Sequence, residues 1–376
     1  MLRIYSILIV LHAYVGWRLL PDLLAFGPLA AGALAVGLAG SIWLMPQGLF
    51  ARRRANSGGV VWAGAIAMGL FSSLFVLTFL RDAALLAAGA LDLVVPGAIA
   101  MHELQSWSAV AVPALAAALT LVGLYNARRR AVVRSVDVTI AGLPAALHGF
   151  TIAQISDVHV GPTIRRAYVD AIVDAVNKLD ADMIAVTGDL VDGSVAQLAQ
   201  HTEPLARLAA RHGSYFVTGN HEYYSGVSGW VVELERLGLR VLMNEHVVLE
   251  HEGEAVVVAG VTDFGAHHYH PSHRSDPVAA MAGAPAEAGV RLLLAHQPRS
   301  AFVAESAGFD LQLSGHTHGG QFWPWNFFVK MQQPFTAGLR KLGKLWVYTS
   351  RGTGYWGPPK RIGAPSEITH LRLVPA

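Results

Sequence analysis

Asp182-Met183-Ile184-Ala185-Val186-Thr187-Gly188-Asp189-Leu190-Val191-Asp192 is a short apolar run that stops at a glycine followed by two carboxylates. A run this short, bounded by turn residues, reads as a buried strand rather than a helix. The same design recurs on both sides. Upstream, Gly149–Ile155 reads as a strand that stops at Ser156-Asp157-Val158-His159, and a helical pattern over Arg165–Leu179 follows. Downstream come a helix over about Ala196–Arg211 and a strand Ser214–Thr218 that stops at Gly219-Asn220-His221-Glu222. Helix Gly229–Leu237 and strands Arg240–Met243, Ala255–Val261 and Val290–Ala295 continue the series, the last running into His296. Asp310–Leu313 leads into Gly315-His316-Thr317-His318-Gly319-Gly320. Ala131–Ile140, Leu345–Thr349 and Ser366–Val374 read as further strands. Strands alternating with helices predict a layered α/β domain. Each cluster of Asp, Asn and His follows the C-terminal end of a strand, the edge where open α/β sheets bind ligands.

The residue types specify a chemistry. Imidazoles, carboxylates and an amide oxygen suit the divalent cations used in hydrolysis. There is no cysteine, which excludes disulfides, thiolate catalysis and Cys-ligated zinc. Taken singly, a Gly-Asp after a strand reads as a turn, and an Asn-His as a cap beside a surface histidine. Five such motifs in order, each at a strand end, read together as a metal centre.

The rest of the composition describes a second, different region. The chain has 376 residues, 53% hydrophobic and only 14% charged, against about 25% charged in soluble domains. The deficit lies in the stretch up to and including Arg134, where ten arginines face four acids and no lysine occurs. Four apolar segments, roughly Ile4–Leu20, Ala25–Met45, Val60–Leu80 and Trp107–Tyr125, each approach the ~20 residues a membrane-crossing helix needs. The division expected is 1–130 as an all-α transmembrane bundle and 131–376 as the α/β domain. Asp82–Gln105, broken by Asp92, Pro96 and Gly97, reads as interfacial or re-entrant. His12, His102 and Glu103 read as interfacial polar residues at helix ends, and the spans read as lacking paired buried charges. Arg3, Arg52–Arg54, Arg128–Arg130 and Arg134 lie on one side of an even number of spans. The positive-inside rule then places the C-terminal domain in the cytoplasm, on the inner or plasma membrane. After Arg134 the balance is mildly acidic, with 18 bases against 22 acids, which argues against nucleic acid as a partner.

The ordered motifs Asp157-Val158-His159, Gly188-Asp189-Leu190-Val191-Asp192, Gly219-Asn220-His221-Glu222, His296 and Gly315-His316-Thr317-His318 resemble the calcineurin-like metallophosphoesterase superfamily. The resemblance covers about Phe150 to Leu373. With Gly319-Gly320-Gln321 and Pro365-Ser366-Glu367-Ile368, it extends to a bacterial subgroup with N-terminal membrane segments. It implies a four-layer α-β-β-α sandwich and two divalent metal ions. Asp157, His159 and His318 would hold one metal, Asn220, His296 and His316 the other, and Asp189 would bridge them. His221, oriented by Asp192, would be catalytic at the leaving-group oxygen. Hydrolysis by metal-activated hydroxide is the implied reaction. Manganese is the favoured metal, with iron, zinc and magnesium as alternatives.

Two regions bear on substrate. Ala266–Arg274 carries His267, His268, His270 and His273 and reads as a polar loop, with a third metal or a phosphate as the less favoured reading. Phe322-Trp323-Pro324-Trp325-Asn326-Phe327-Phe328 reads equally as a buried flap over the core or as a lipid-touching or pocket-lining surface that, with Tyr355-Trp356 and Lys360-Arg361, points to an amphiphilic ester near the bilayer. The function expected is a membrane-anchored phosphodiesterase or phosphomonoesterase with a lipid-linked substrate. The alternatives are a nucleotide or phosphoprotein phosphatase and, in another class, a membrane sensor or transport-coupled protein.

Overall fold

The computed structural model describes residues 2–51 and 58–376, which form two compact units. One comprises Met1–Tyr125 with Gly357–Lys360, the other Asn126–Trp356 with Arg361–Ala376. The arginines at 52–54 lie outside the described residues.

The helical unit contains α1 (Leu2–Leu23), α2 (Pro28–Ala51), α3 (Gly58–Val94) and α4 (Met101–Arg128). All four are long and apolar enough to cross a membrane. The re-entrant reading of Asp82–Gln105 is corrected. α3 runs unbroken through Asp82 to Val94, because neither Pro nor paired glycines interrupt it before Pro96-Gly97. His12 also differs from expectation. It lies inside α1 and is buried, stacked on Phe71 at 3.5 Å, with Nε2 3.1 Å from Ser41 Oγ. Paired charges are present as well. Arg81 is buried and bonds Asp22, while Arg18 meets Asp82 at 2.9 Å and Tyr14 donates to Asp82 at 2.7 Å. Arg81 lies 23 residues into the helix that begins at Gly58, about 35 Å at 1.5 Å per residue. That exceeds the ~30 Å hydrocarbon core, so α3 is long enough to carry this cluster past the core of a membrane that it crosses.

The second unit runs β1 (Val132–Ile140), β2 (Thr151–Ile155), α5 (Arg166–Asn177), β3 (Met183–Val186), α6 (Val195–Thr202), β4 (Ser214–Phe216), α7 (Asn220–Ser225), α8 (Val227–Arg236) and β5 (Leu239–Val241). It continues with β6 (Glu245–His251), β7 (Glu254–Gly260), α9 (Pro277–Met281), β8 (Val290–Leu294), α10 (Ala301–Ser306), β9 (Leu311–Ser314), α11 (Asn326–Val329), β10 (Gly338–Leu342), β11 (Leu345–Thr349) and β12 (Glu367–Pro375). One sheet has the order β1-β12-β2-β3-β4-β5 and the other β10-β11-β9-β8-β7-β6. Three apolar clusters account for four layers. Ile152, Met183 and Tyr215 of the first sheet meet Val258, Leu292 and Leu313 of the second. Val169, Val173, Trp230 and Leu234 cover the outer face of the first sheet. Ala280, Ala301 and Ala304 cover that of the second. The result is the α-β-β-α sandwich.

The edge strands β6 and β10 were not expected. Glu245, His246 and Glu250 interrupt the apolar pattern of β6, and Arg340 and Lys341 that of β10. Such charges are normal on the exposed side of an edge strand. The helix expected to Arg211 ends at Thr202 and passes into a 3₁₀ turn, Glu203–Arg207, at Pro204, which has no N–H to continue it.

Candidate metal centre

Strand register brings the motifs together. In the first sheet Ile155 lies opposite Val186, and Val186 opposite Phe216. Asp157, Asp189 and Gly219 follow that common rung by two or three residues. In the second sheet Leu294 lies opposite Leu313, so His296 and His316 emerge level. The backbone there is unusual. Asp157, His159, Asp189, His316 and His318 all have positive φ, between 50° and 68°. That conformation is costly for non-glycine residues and clusters at functional sites. At Gly315, an added Cβ would lie 2.0 Å from Ser156 Oγ and 2.1 Å from Asp157 Oδ2, so only glycine lets the loop approach this closely.

Two clusters share Asp189. In the first, His318 Nε2 lies 3.5 Å from Asp157 Oδ1 and 3.0 Å from His159 Nε2, and His159 Nε2 lies 3.9 Å from Asp189 Oδ2. In the second, His296 Nε2 lies 3.1 Å from Asp189 Oδ2 and 3.2 Å from His316 Nδ1. Asn220 Oδ1 is buried and has no hydrogen-bond partner among the described residues, as an oxygen reserved for a cation would be. Asp157, His159 and His318, and Asp189, His296 and His316, form groups whose donor atoms lie within 4.8 Å of one another. His159, Asp189 and His221 form a third such group. The donor chemistry therefore fits divalent cations. His221 stands at the edge, half-buried. Its Nδ1 is 2.5 Å from Asp192 Oδ1, and its Nε2 is 4.0 Å from Asp189 Oδ2. Asp192 also lies 3.0 Å from His159 Nδ1, so one carboxylate orients two imidazoles. Trp230 Nε1 donates to Gly193 O at 2.8 Å and pins the loop that carries Asp192.

The electrostatics show a site that demands positive charge. Burial works to raise the Asp189 carboxyl, yet the His296, His221 and His159 imidazoles hold it well below the usual range. Burial, with the neighbouring Asp189 carboxylate, raises Asp157 against the pull of His296 and His159. Burial likewise works to lower His296, and the Asp189 and Asp157 carboxylates override it and hold it well above normal. His221 is carried against its burial to about 9 by Asp189 and Asp192. His316 is pushed down to about 3 by burial and the neighbouring His296, and His318 well down by burial and His159. A proton on His296 thus occupies the charge a cation would supply and must leave when a cation binds. Apparent divalent-cation affinity is expected to tighten as pH rises from 6 to 8, by up to about tenfold per unit. Calorimetric titration with Mn²⁺ across that range checks this, and a flat profile rules it out.

One supporting residue carried no assigned role in the sequence, and another carried a different one. Glu222 is fully buried and accepts N–H groups from Asp189, Leu190, Val191 and Gly219, the last at 2.7 Å. Burial and the neighbouring Asp189 nevertheless raise it to about 7. Its position three residues after Gly219, at the start of α7, was the available signal. Arg361 is buried and donates to the carbonyls of His318 at 3.0 Å and Arg351 at 2.7 Å. Lys360 is also buried, within the helical unit, and donates to Gly69 O at 3.0 Å. Both cations are thereby bonded within the protein, so neither is a free surface charge that adds to the hint of an amphiphilic ester. The histidine loop packs as 3₁₀ turns, with His273 Nδ1 3.1 Å from Tyr223 Oη. Among the described residues, every group of three or more His, Asp or Glu donors within 4.8 Å of one another lies in the centre above.

Comparison with known proteins agrees. Residues 150–320 match the family model for calcineurin-like phosphoesterases. A transmembrane protein with metallophosphoesterase domain from Danio rerio is 38% identical over 270 residues, covering 70% of this chain and 62% of that protein. Its Bos taurus counterpart is 40% identical over 279 residues, covering 70% and 63%. The chain thus spans a little under two thirds of these relatives. An uncharacterized metallophosphoesterase of Aquifex aeolicus is 32% identical over 226 residues, covering 59% of this chain and 84% of that protein. With the ordered motifs converging on one strand edge, the chain belongs to the calcineurin-like metallophosphoesterase family.

Proposed function

We propose that the chain is a membrane-anchored, dinuclear metal-dependent phosphoesterase that hydrolyses a lipid-linked phosphodiester or phosphomonoester. The observation that carries this reading is the pair of buried donor clusters joined at Asp189, with His221 at their open edge. Asp157, His159 and His318 would hold one cation, Asn220, His296 and His316 the other, and Asp189 would serve both. Mn²⁺ is the proposed metal, on the nitrogen and oxygen donor set. A bound pair of divalent cations supplies Lewis acidity toward the phosphoryl group and a nucleophile at neutral pH. The chain's own residues do the rest. Asp192 fixes His221 through Nδ1, leaving Nε2 on the metal-centre side, 4.0 Å from Asp189 Oδ2, to hold a proton for the departing oxygen. The four N–H groups gathered by Glu222 keep the Asp189 loop rigid. The arginines flanking the spans support a cytoplasmic catalytic unit.

The lipid link rests on the segment after His318. Trp323, Trp325, Phe327 and Phe328 are between 40% and 64% exposed, and aromatic rings of this kind favour the membrane interface. The test is hydrolysis by the purified chain, stripped of metal and refilled with Mn²⁺. It uses a soluble chromogenic diester, a soluble monoester and a phospholipid ester in vesicles. Mn²⁺-dependent turnover is expected. Trp323→Ala with Trp325→Ala should depress only the vesicle reaction. Equal activity of that variant on all three substrates removes the lipid link. Failure on all of them with metal bound removes the hydrolase reading.

A further inference from the structure

We propose that a basic pocket at the end of α4 binds the phosphate of an anionic lipid headgroup, separately from the metal centre and whatever the hydrolase acts on. The cavity has a volume of about 180 Å³ and is lined by Asn126, Arg129, Arg130, Arg361, Gly363 and Ser366, among others. One ordered water needs only roughly 10–15 Å³ of such space. No carboxylate and no proposed metal ligand lines it.

Its polar groups are divided unevenly. Asn126 Nδ2 donates to Arg361 O at 3.2 Å, and Ser366 Oγ to Gly354 O at 3.2 Å. Both are therefore occupied. Arg361 is buried, its two terminal nitrogens committed to carbonyls and to His318, while its Nε has no partner among the described residues. It contributes a fixed positive charge to the wall. Arg129 and Arg130 are exposed, and neither makes a hydrogen bond or ion pair among the described residues. Two exposed guanidinium forks beside a buried third, with no carboxylate in the pocket lining, select an anion. The planar fork matches phosphate oxygens in particular.

The source of that phosphate follows from chain continuity. α4 is long and apolar enough to cross a membrane, and it ends at Arg128. Arg129 and Arg130 are the next two residues, so the pocket mouth is tethered at the depth of the headgroups. Basic pockets at that level bind anionic headgroups, and each arginine near the surface adds about 1 kcal/mol.

The experiment titrates the detergent-solubilised full chain with short-chain phosphatidylglycerol, phosphatidylcholine or inorganic phosphate, following binding by native mass spectrometry. Saturable binding of phosphatidylglycerol alone is expected. It should weaken about fivefold in Arg129→Gln or Arg130→Gln and about 30-fold in the double variant. The variant Arg52→Gln/Arg53→Gln/Arg54→Gln, which carries the same kind of charge loss elsewhere, should bind as wild type. If that control weakens as much, the attraction is diffuse and the pocket proposal fails. If inorganic phosphate binds as tightly as the lipid, the ligand is a soluble phosphate and the lipid assignment fails. Equal melting temperatures of all variants without lipid show that folding is not the cause.

Discussion

Replacing His221 by alanine is expected to cut turnover by roughly 10²–10⁴-fold while bound metal stays near the wild-type level. His221 has the geometry of a proton donor. Its Nδ1 is held 2.5 Å from Asp192 Oδ1, its side chain keeps 13% exposure, and the two carboxylates carry it to about 9. It is therefore protonated at neutral pH, and its free Nε2 lies 4.0 Å from Asp189 Oδ2. A leaving oxygen arriving there meets a donor already oriented. The competing role is that of a ligand, because His159, Asp189 and His221 also form a group of donors within 4.8 Å. Metal analysis of the purified variant decides between them: a loss of one equivalent would make His221 a ligand. Asp192 should behave differently. It also holds His159 Nδ1 at 3.0 Å, so Asp192→Ala disturbs a proposed ligand as well as the proton donor. Activity should fall with metal content there, whereas in His221→Ala the two should separate.

The contrast between these neighbours shows what a sequence carries and what it leaves out. Asp157, Asp189, Asn220, His296 and His316 were legible because each follows a strand, and parallel register converts strand ends into one edge. Ile155, Val186 and Phe216 stand on a common rung, so the convergence follows from topology. Glu222 was visible as a letter in a motif. Its bonds to four backbone N–H groups depend on how two loops meet in space. Arg361 was harder still. A cation in a polar segment near the C-terminus reads as a surface charge, and only the folded chain shows it buried against the His318 carbonyl. The same limit applied to the helices. Arg18 and Asp22 lie on α1, far along the sequence from Arg81-Asp82 on α3, and the packing of α1 on α3 pairs them across. The edge strands β6 and β10 were missed because one-sided exposure erases the apolar run that marked the central strands.

Substituting Asp189 by asparagine should abolish measurable turnover and remove the stabilisation that divalent metal gives the wild-type chain. Asparagine keeps the shape of the side chain and an oxygen able to accept the His221 N–H, which Asp189 Oδ1 takes at 2.8 Å. What it loses is the charge shared by both clusters. Asp189 Oδ2 is 3.1 Å from His296 Nε2 and 3.9 Å from His159 Nε2, so it lies within 4 Å of an imidazole of each set. The surrounding imidazoles hold it well below the usual carboxylate range, so it is ionised at every working pH. Without it, the raised affinity of His296 for a proton loses its first electrostatic source. The imidazole then becomes neutral beside Thr187 O, which its Nδ1 meets at 2.8 Å. The metal-free variant should accordingly melt close to the metal-free wild type. The difference should appear only on refilling. Metal at a hundred times its dissociation constant stabilises a single-site protein by about 2.7 kcal/mol, and the variant should show none of it. Melting curves of both proteins with and without Mn²⁺ measure this directly. A full Mn²⁺ shift in Asp189→Asn would mean that the two clusters bind independently, and the bridging role would pass from Asp189 to no residue at all.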